Sequence, residues 1–361
     1  MSKKIKVLVV GVGNMGASHA RSYHTIEGFE LVGLVAPTPN RREKLAQELG
    51  GIPQFDNFDE ALQTVEPDAV SICTYPDTHK EFALKSLKSG AHIFIEKPIA
   101  ETVEDAEAII ACAEEHQKKV VVGYILRHHP IWKEFISLSH QLGKPLVMRM
   151  NLNQQSAKEQ WETHKQLLKT VSPILDCGVH YVDVMCQMTQ SEPIEVNAIG
   201  ARLSDEISED MYNYGQLQVS FKDGSVGWYE AGWGPMISET AYFVKDVIGP
   251  KGSVSIKDPS SNVHIVKSSD INEHTKTNVL VCHYGERDYT GNFAKKDEYI
   301  EAHNEPNHQD LCDAEQLYFL EAIKNNTDLT AHLNDAINSL RIVLAADKSI
   351  KTGKKIVLGN K

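Results

Sequence analysis

Apolar and polar positions follow a regular alternation of two patterns in the first third of the chain. Short continuous runs rich in Val, Ile and Leu, such as IKVLVV at 5–10, are typical of parallel strands buried on both faces. Segments of helical period separate these runs, and single helices between buried strands indicate βαβ units in a doubly wound parallel sheet. The predicted strands are 5–10, 30–35, 69–73, 92–95 and 119–123, and the predicted helices are 14–27, 41–49, 57–65, 78–89 and 102–117.

The pattern changes after about residue 125, where strand-like segments predominate. Strands 211–221 and 224–233 are joined by Lys222-Asp223-Gly224, a hairpin signal because glycine tolerates positive φ. We therefore predict an α+β second half with a mostly antiparallel sheet. Its further predicted strands are 145–153, 194–203, 242–248, 252–256, 262–266, 278–284 and Lys355 to Leu358, and its predicted helices are 173–188, 307–324 and 333–351.

The length of the chain favours two domains. Single hydrophobic cores tend to split beyond about 250–300 residues, and this chain has 361. The change of pattern predicts one domain at 1–124 and a second at 125–361. In one arrangement that we consider, the C-terminal helix and strand return to the first domain.

Charge and composition exclude some classes of partner. The chain has 37 basic and 49 acidic residues, a net charge of −12, so we expect no nucleic-acid partner. The apolar stretch Val7 to Val10 is too short for a signal peptide or a membrane span, so we expect a cytoplasmic protein with no membrane partner. No cysteine spacing suggests structural zinc, and we expect no metal cofactor.

A glycine loop follows the first predicted strand and opens the first predicted helix. Its sequence is Gly11-Val12-Gly13-Asn14-Met15-Gly16, the G-x-G-x-x-G pattern in which glycines permit a tight turn, close approach of a pyrophosphate and close helix packing. The helix N-terminus at Asn14 and Met15 supplies N–H groups for anionic phosphates. The loop therefore predicts a dinucleotide-binding domain.

The end of the second predicted strand leaves the choice of dinucleotide open. An acidic residue is expected there to bind the adenosine ribose, yet the chain reads Ala36-Pro37-Thr38-Pro39-Asn40-Arg41-Arg42. Thr38 with the two arginines could accommodate a 2′-phosphate, or the arginines could be a solvated helix start. NAD and NADP both remain candidates.

The residues Glu96-Lys97-Pro98 follow the predicted strand 92–95 and form a Glu-Lys-Pro turn. With this turn and the glycine loop, the sequence resembles the Gfo/Idh/MocA family of glucose–fructose oxidoreductase, inositol dehydrogenase and MocA-like proteins. The glycine loop and several later motifs occur in the family's order across almost the whole chain. These motifs are Thr74 to His79, Gly90 to Pro98, Gly123 to Arg127, Leu175 to Asp183 and Ile248 to Ser253.

The resemblance implies a Rossmann domain followed by an open-faced α/β domain whose sheet often mediates homo-oligomers. It also implies that Glu96 and Lys97 contact the nicotinamide ribose, with a Lys97-Pro98 bond expected to be cis. Thr74, Pro76 and His79 join the glycine loop as cofactor-binding candidates.

The resemblance further assigns catalysis to Lys97, Asp176 and His180, and substrate binding to these three with Arg127. Asp176 and His180 lie four apart on a predicted helix, so their side chains are expected on one face. A histidine suits removal of a hydroxyl proton, and a lysine near the ring would stabilise the developing alkoxide. Without the resemblance, an exposed helix pair or half of a metal site would be the favoured explanation of Asp176 and His180.

Aromatic residues of the second half cannot all line one pocket. In strand 224–233, Tyr229 and Trp233 share one face, and Trp228 lies on the other. For His128, His129, His303 and His308 we favour structural roles over a place in the pocket.

Two hypotheses of different class follow. The first is an NAD(P)-dependent enzyme that interconverts a secondary hydroxyl and a ketone on a sugar, glycoside or cyclitol. Within it, oxidation of a glycoside at C3 with a tightly held cofactor is attractive because the family contains such enzymes. The second is a non-catalytic dinucleotide-binding sensor on the same fold.

Overall fold

The computed structural model describes residues 3–238, 244–257 and 277–359. The chain divides into two compact units. The first consists of Met1–Ile125 and Asn307–Ile337, and the second of Leu126–Pro306 and Asn338–Lys361. The residues after 306 are thus divided between the two units.

The first unit contains a parallel sheet, as predicted, with six strands among its described residues. The order is β3-β2-β1-β4-β5-β6. Strands β2 and β3 thus lie on one side of β1, and β4, β5 and β6 lie on its other side. The short β3 escaped prediction because two residues carry no periodicity. The strands are β1 Ile5–Val10, β2 Phe29–Val35, β3 Gln54–Phe55, β4 Ala69–Ile72, β5 His92–Glu96 and β6 Val120–Gly123.

The helices of the first unit begin at residues suited to that position. Asn57 and Thr102 cap helices through side-chain oxygens that accept from the backbone N–H groups of Glu60 and Asp105. The helices are α1 Asn14–Thr25, α2 Pro39–Glu48, α3 Phe58–Val65, α4 Pro76–Lys88, α5 Val103–Glu115 and α10 His308–Lys324, with the start of α11, Thr330–Thr352.

Helix α10 completes the core of the first unit, although it lies some 200 residues along the chain from β6. Its Phe319 ring stacks on Phe29 with centroids 6.3 Å apart and tilts against Phe94 at 6.1 Å. Burying such rings contributes strongly to core stability. A helix from the C-terminal part of the chain therefore forms part of the hydrophobic core of the first unit.

The second unit contains a mixed, mostly antiparallel sheet, as predicted, with nine strands among its described residues. Its order is β14-β13-β12-β11-β7-β10-β9-β8-β15, and only the β7–β10 pair is parallel within these residues. The predicted strand 262–266 lies outside the described residues. The strands are β7 Val147–Gln155, β8 Pro193–Ala201, β9 Tyr214–Phe221, β10 Val226–Gly234, β11 Lys245–Gly249, β12 Gly252–Lys257, β13 Val279–Tyr284, β14 Glu298–Glu301 and β15 Ile356–Val357.

The turn between β9 and β10 confirms the hairpin prediction. Gly224 has φ +84°, and Ser220 pairs with Val226 across the turn. The alternation along β10 is also confirmed, since Tyr229 and Trp233 are fully buried and Trp228 is half-buried.

Helices cover one face of the second sheet. These are α6 Pro130–Ser139, α7 Lys158–Leu167, α8 Pro173–Asp176 and α9 Gly178–Thr189, with the end of α11 and a short 3₁₀ turn at Ile125–Arg127. Apolar side chains that point the other way stay exposed, among them Ile199, Val226 and Ile248. This is the half-covered arrangement common in antiparallel sheets.

The continuous helix predicted at 173–188 is wrong, because the structure breaks it at Cys177. The N–H of His180 donates to the carbonyl of Cys177, three residues back, so the regular i→i−4 ladder does not continue. Gly178 also lies so close to the Tyr229 ring that a Cβ there would be 2.9 Å from Cε1. The regular hydrogen-bond ladder is therefore interrupted between Asp176 and His180, although Cys177 keeps near-helical dihedral angles.

Within the described ranges, none of the helices is both long and apolar enough to cross a lipid bilayer. The six cysteines all fall in these ranges and are free thiols.

A buried ion pair ties the start of the second unit to α9. The Arg127 guanidinium donates from Nε and Nη2 to the two carboxylate oxygens of Asp183, at 2.8 and 2.6 Å, and Gln187 adds a third hydrogen bond at 2.9 Å. The Asp183 side chain is 1% exposed. Burial raises the pKa of Asp183, and the charge of Arg127 opposes that rise.

Replacing Asp183 by Asn should lower the free energy of unfolding by about 3 kcal/mol, because it removes the buried carboxylate that the Arg127 guanidinium contacts through two hydrogen bonds. The midpoint of chemical unfolding measures this change. Asp246→Asn is the matched control, since the Arg149–Asp246 pair is also bidentate but its arginine is 50% exposed. Equal losses in the two variants would contradict the importance of burial.

Candidate active site

The glycine loop connects β1 to α1 in a conformation that needs glycine at its first and third positions. Gly11 has φ +86°, and a Cβ there would lie 2.5 Å from the carbonyl oxygen of Cys73. A Cβ on Gly16 would lie 1.9 Å from the carbonyl oxygen of Gly11. These two glycines therefore allow the turn itself and the close packing of α1 on it.

The middle glycine has a different environment. A Cβ on Gly13 would meet no described protein atom within 4 Å, so this glycine borders open space. The first intrahelical bond of α1 runs from the Ala17 N–H to the Gly13 carbonyl. The N–H groups of Asn14 and Met15 precede it, and together with the helix dipole they can receive an anion. A pyrophosphate fits this arrangement.

The segment after β2 uses one of its two arginines structurally. The Arg42 guanidinium donates to the carbonyl oxygens of Ala36 and Phe55, at 2.9 Å for the second bond, and so braces the ends of β2 and β3. Arg41 and Thr38 are exposed. Of the two arginines, Arg41 is the one whose side chain extends into solvent.

The segment after β4 is held together by a buried histidine. The His79 ring lies between two backbone carbonyls, with Nδ1 3.0 Å from the oxygen of Pro98 and Nε2 3.1 Å from that of Thr74. Burial lowers the pKa of His79 in spite of these acceptors. Thr78 Oγ1 donates to Thr74 Oγ1 at 2.6 Å. His79 thus joins the loop before α4 to the turn after β5.

Glu96 and Lys97 lie at the end of β5. Glu96 is buried, and its carboxylate accepts from His19 Nε2 at 2.7 Å and from the backbone N–H of Lys97 at 3.2 Å. The Lys97-Pro98 bond is cis, as expected. Carboxyl ends of parallel strands face the ligand crevice in doubly wound sheets, which places this turn and the glycine loop at the same edge.

The second unit carries Asp176 and His180, both half-buried, on either side of the helix break. Between them, the Cys177 thiol donates to Gln154 Oε1 at 3.4 Å, and the same oxygen accepts from Trp233 Nε1 at 2.7 Å. Gln154 therefore connects the sheet to the break between α8 and α9.

Stacked aromatic rings pack in the region around the break between α8 and α9. The Tyr229 ring stacks on Tyr181 with centroids 5.2 Å apart, and its hydroxyl is buried with no hydrogen-bond partner among the described residues. Burial, and then the neighbouring Cys177, Tyr181 and Asp176, hold the pKa of Tyr229 well above its usual value. His164 stacks on Trp233 at 4.5 Å.

The predicted site residues fall into two sets. The cofactor-binding candidates and Lys97 lie in the first unit, whereas Arg127, Asp176 and His180 lie in the second. The Arg127 guanidinium donates hydrogen bonds to the Asp183 carboxylate. The substrate contact predicted for Arg127 stays a prediction. The sequence offered no signal for Gln154 or for His19, because both act through partners far along the chain.

Family models match both parts of the chain. Residues 5–124 match the oxidoreductase family with an NAD-binding Rossmann fold, and residues 136–358 match the C-terminal alpha/beta domain of the same oxidoreductase family. The glycine loop described above has the open middle position that such a nicotinamide dinucleotide needs.

Curated relatives and a solved structure that are similar to this chain are dehydrogenases by name. The chain is 28% identical to the scyllo-inositol 2-dehydrogenase (NAD(+)) of Bacillus subtilis over 71% of this chain and 75% of that protein. It is 31% identical to the UDP-N-acetylglucosamine 3-dehydrogenase of Acidithiobacillus ferrooxidans over 53% of this chain and 56% of that protein. The scyllo-inositol dehydrogenase of Lactobacillus casei, solved with NAD(H) and scyllo-inositol, superposes with a TM-score of 0.77 at 21% identity, covering 98% of this chain and 99% of that one. With both domain models matched in order over most of its length, the chain belongs to the Gfo/Idh/MocA family of oxidoreductases.

Proposed function

We propose that the protein interconverts a secondary hydroxyl and a ketone on a sugar, glycoside or cyclitol with a nicotinamide dinucleotide as co-substrate. The relatives named above act, by their names, on an inositol and on a nucleotide sugar. The glycine loop carries the proposal, because the space in front of Gly13 and the free N-terminus of α1 suit a pyrophosphate. A substrate with hydroxyl groups would account for Lys97, Asp176 and His180 at the family's motif positions, because these side chains can bind and deprotonate a hydroxyl group.

The cofactor would be held by the glycine loop, the N-terminus of α1, the loops with Thr38 and Thr74, and the turn at Glu96 and Lys97. When bound, its nicotinamide ring accepts or donates the hydride. The oxidised or reduced form would be bound tightly if the cofactor is recycled in place.

His180 is the proposed base that takes the hydroxyl proton, since an imidazole titrates near neutral pH. The Lys97 ammonium stabilises the alkoxide that forms, an effect that grows where water is excluded. Asp176 orients substrate hydroxyls or the imidazole. Burial, and to a smaller extent Cys177, Tyr181 and Asp176, raises the pKa of the Tyr229 phenol, so Asp176 has an uncharged phenol among its neighbours.

The finer substrate choice that we favour is oxidation at C3 of a glycoside. The name of the Acidithiobacillus ferrooxidans relative specifies the same ring position on a nucleotide sugar. Nuclear magnetic resonance of the product would locate the new ketone on the ring.

We also propose that residues 1–124, together with the returning segment Asn307–Ile337, form the cofactor domain, and that the rest of residues 125–361 forms the substrate and oligomerisation domain. Exposed apolar side chains on the open face of the second sheet suit a homo-oligomer built through that face. A cytoplasmic location fits the nicotinamide pool that such an enzyme uses.

The first experiment denatures purified protein, identifies any released nucleotide, and then screens sugars, glycosides and cyclitols for a change in nicotinamide absorbance. We expect NAD(H) or NADP(H), bound or added, and turnover with at least one of these substrates. Binding without turnover would favour the sensor alternative, and failure to bind any nicotinamide dinucleotide would contradict the proposal.

Gly13→Ala should fold normally yet bind NADH or NADPH about tenfold more weakly, a loss of about 1.4 kcal/mol, because its methyl enters the space meant for pyrophosphate. Gly16→Ala should instead lower the free energy of unfolding by about 1–3 kcal/mol through overpacking against the Gly11 carbonyl. Fluorescence titration and chemical unfolding measure the two effects. The reverse pattern would be inconsistent with the open position at Gly13.

His180→Asn should lower kcat by about 10²–10⁴-fold, the usual contribution of a general base. The dissociation constant for the dinucleotide should stay unchanged, because His180 lies in the second unit. His24→Asn is the control, since His24 is an exposed histidine of α1. Normal turnover in the His180 variant would refute the assignment of the base.

Arg41→Ala should lower kcat/KM for NADP by about tenfold through loss of a charged hydrogen bond of about 1.4 kcal/mol, and leave that for NAD nearly unchanged. Lys44→Ala removes a charge from an exposed position of the same helix and is the matched control. Equal changes with both cofactors would mean that Arg41 does not contact a 2′-phosphate.

A further inference from the structure

A continuous chain of buried hydrogen bonds in the first unit ends at Lys97. The Tyr23 hydroxyl contacts Gln316 Oε1 at 2.5 Å, and Gln316 Nε2 contacts His19 Nδ1 at 2.9 Å. His19 Nε2 contacts Glu96 Oε1 at 2.7 Å, and Glu96 Oε2 accepts from the Lys97 N–H at 3.2 Å. Tyr23, Gln316 and His19 are fully buried.

The chemistry of these groups determines which atom donates and which accepts in each of these hydrogen bonds. A carboxylate only accepts, so His19 Nε2 carries the proton that faces Glu96. In the neutral ring Nδ1 is then an acceptor, and Gln316 Nε2 must donate to it. The amide oxygen of Gln316 consequently faces Tyr23 and accepts its hydroxyl proton. Every donor thus points toward Glu96, and bonds aligned in this way strengthen one another.

A second carboxyl group, that of Glu315, is buried beside this series of hydrogen bonds. Glu315 on α10 is 1% exposed, and neither of its carboxyl oxygens has a hydrogen-bond partner among the described residues. Burial, and then the charge of Glu96, raise the pKa of Glu315 well above its usual value. Burial and the neighbouring Glu96 thus oppose ionisation of Glu315, whereas Glu96 accepts two hydrogen bonds that favour its charged form.

A metal ion is the alternative occupant of this cluster. Ligand atoms of His19, Cys312 and Glu315 lie within 4.8 Å of one another. Both ring nitrogens of His19 are already engaged, however, by Glu96 and Gln316. The hydrogen-bond chain accounts for His19 without a metal, and a metal would have to break it.

We propose that His19, held in one tautomer by Glu96 and supported at Nδ1 by Gln316, is a positioning residue for the turn that carries Lys97. By orienting the Glu96 carboxylate, His19 fixes the backbone N–H of Lys97 and so the point from which the lysine side chain projects. This inference rests on the proposed role of Lys97 in turnover. His19 itself contacts neither substrate nor reacting atoms in this scheme.

The test compares His19→Leu, which removes both ring nitrogens, with His19→Gln, whose amide keeps a donor for Glu96. His19→Leu should lower kcat by about 10–10²-fold, since small misplacements of a catalytic group have effects of this size. The dissociation constant for NADH should change by less than about threefold, because the glycine loop is intact. His19→Gln should recover most of kcat. Full turnover in a folded His19→Leu protein would overturn the proposal.

Gln316→Met gives a second route if His19→Leu does not fold. It leaves His19 in place and removes the donor to Nδ1, while Glu96 continues to accept from Nε2. Nitrogen-15 resonances of histidine-labelled protein should show the Nε2–H tautomer for His19 in both proteins, with an Nδ1 resonance that shifts in the variant because its hydrogen bond is lost. An Nδ1–H tautomer in the parent protein would overturn the proposal. This measurement needs no turnover, so it separates failure of the hydrogen-bond chain from failure of the proposed function.

Glu315→Gln completes the design, because an amide replaces a carboxyl group of the same shape whose ionisation burial opposes. We expect kcat within about twofold of the parent value, as neutral isosteres cost little at such a position. Elemental analysis of the parent protein should find no stoichiometric transition metal. A bound metal that is lost in Glu315→Gln would show that the cluster is a metal site and would overturn the positioning role.

Discussion

The contact between Gly16 and the Gly11 carbonyl is the constraint on which the first unit depends. With only a hydrogen on Gly16, α1 begins almost on top of the turn that follows β1. This close start brings the inner face of α1, with His19 and Tyr23, against the end of β5. A helix set farther from the strand would leave Glu96 buried without its imidazole donor, at a substantial desolvation cost.

The longer strands of the first unit follow from sequence because most of their residues are buried and they read as largely apolar runs. Val7 to Val10 is such a run, and all four residues are buried. The hairpin at Gly224 was equally predictable, since its left-handed φ needs glycine. The two-residue β3 and the end strand β14, which lies in a polar segment, have no comparable signal.

The site was predictable only in part. The glycine loop and the Glu-Lys-Pro turn are local features, so sequence reveals them. The break at Cys177 is not local, because that residue keeps near-helical dihedral angles of −89° and −38°, and Tyr229 and Gln154 on separate strands lie against it. Likewise the bond between Gln316 and His19 joins residues 297 positions apart. No periodicity encodes such pairs, and only the packed core brings them together.

The role of Arg42 bears on any redesign of cofactor preference. Its guanidinium holds the carbonyls of Ala36 and Phe55, so it works as a brace between neighbouring strand ends. An engineer who exchanged both arginines at once would loosen the edge of the sheet while also changing Arg41, which we propose as a nucleotide contact, and would misread lost stability as altered selectivity. Libraries for this loop should therefore vary Thr38 and Arg41 and keep Arg42 constant.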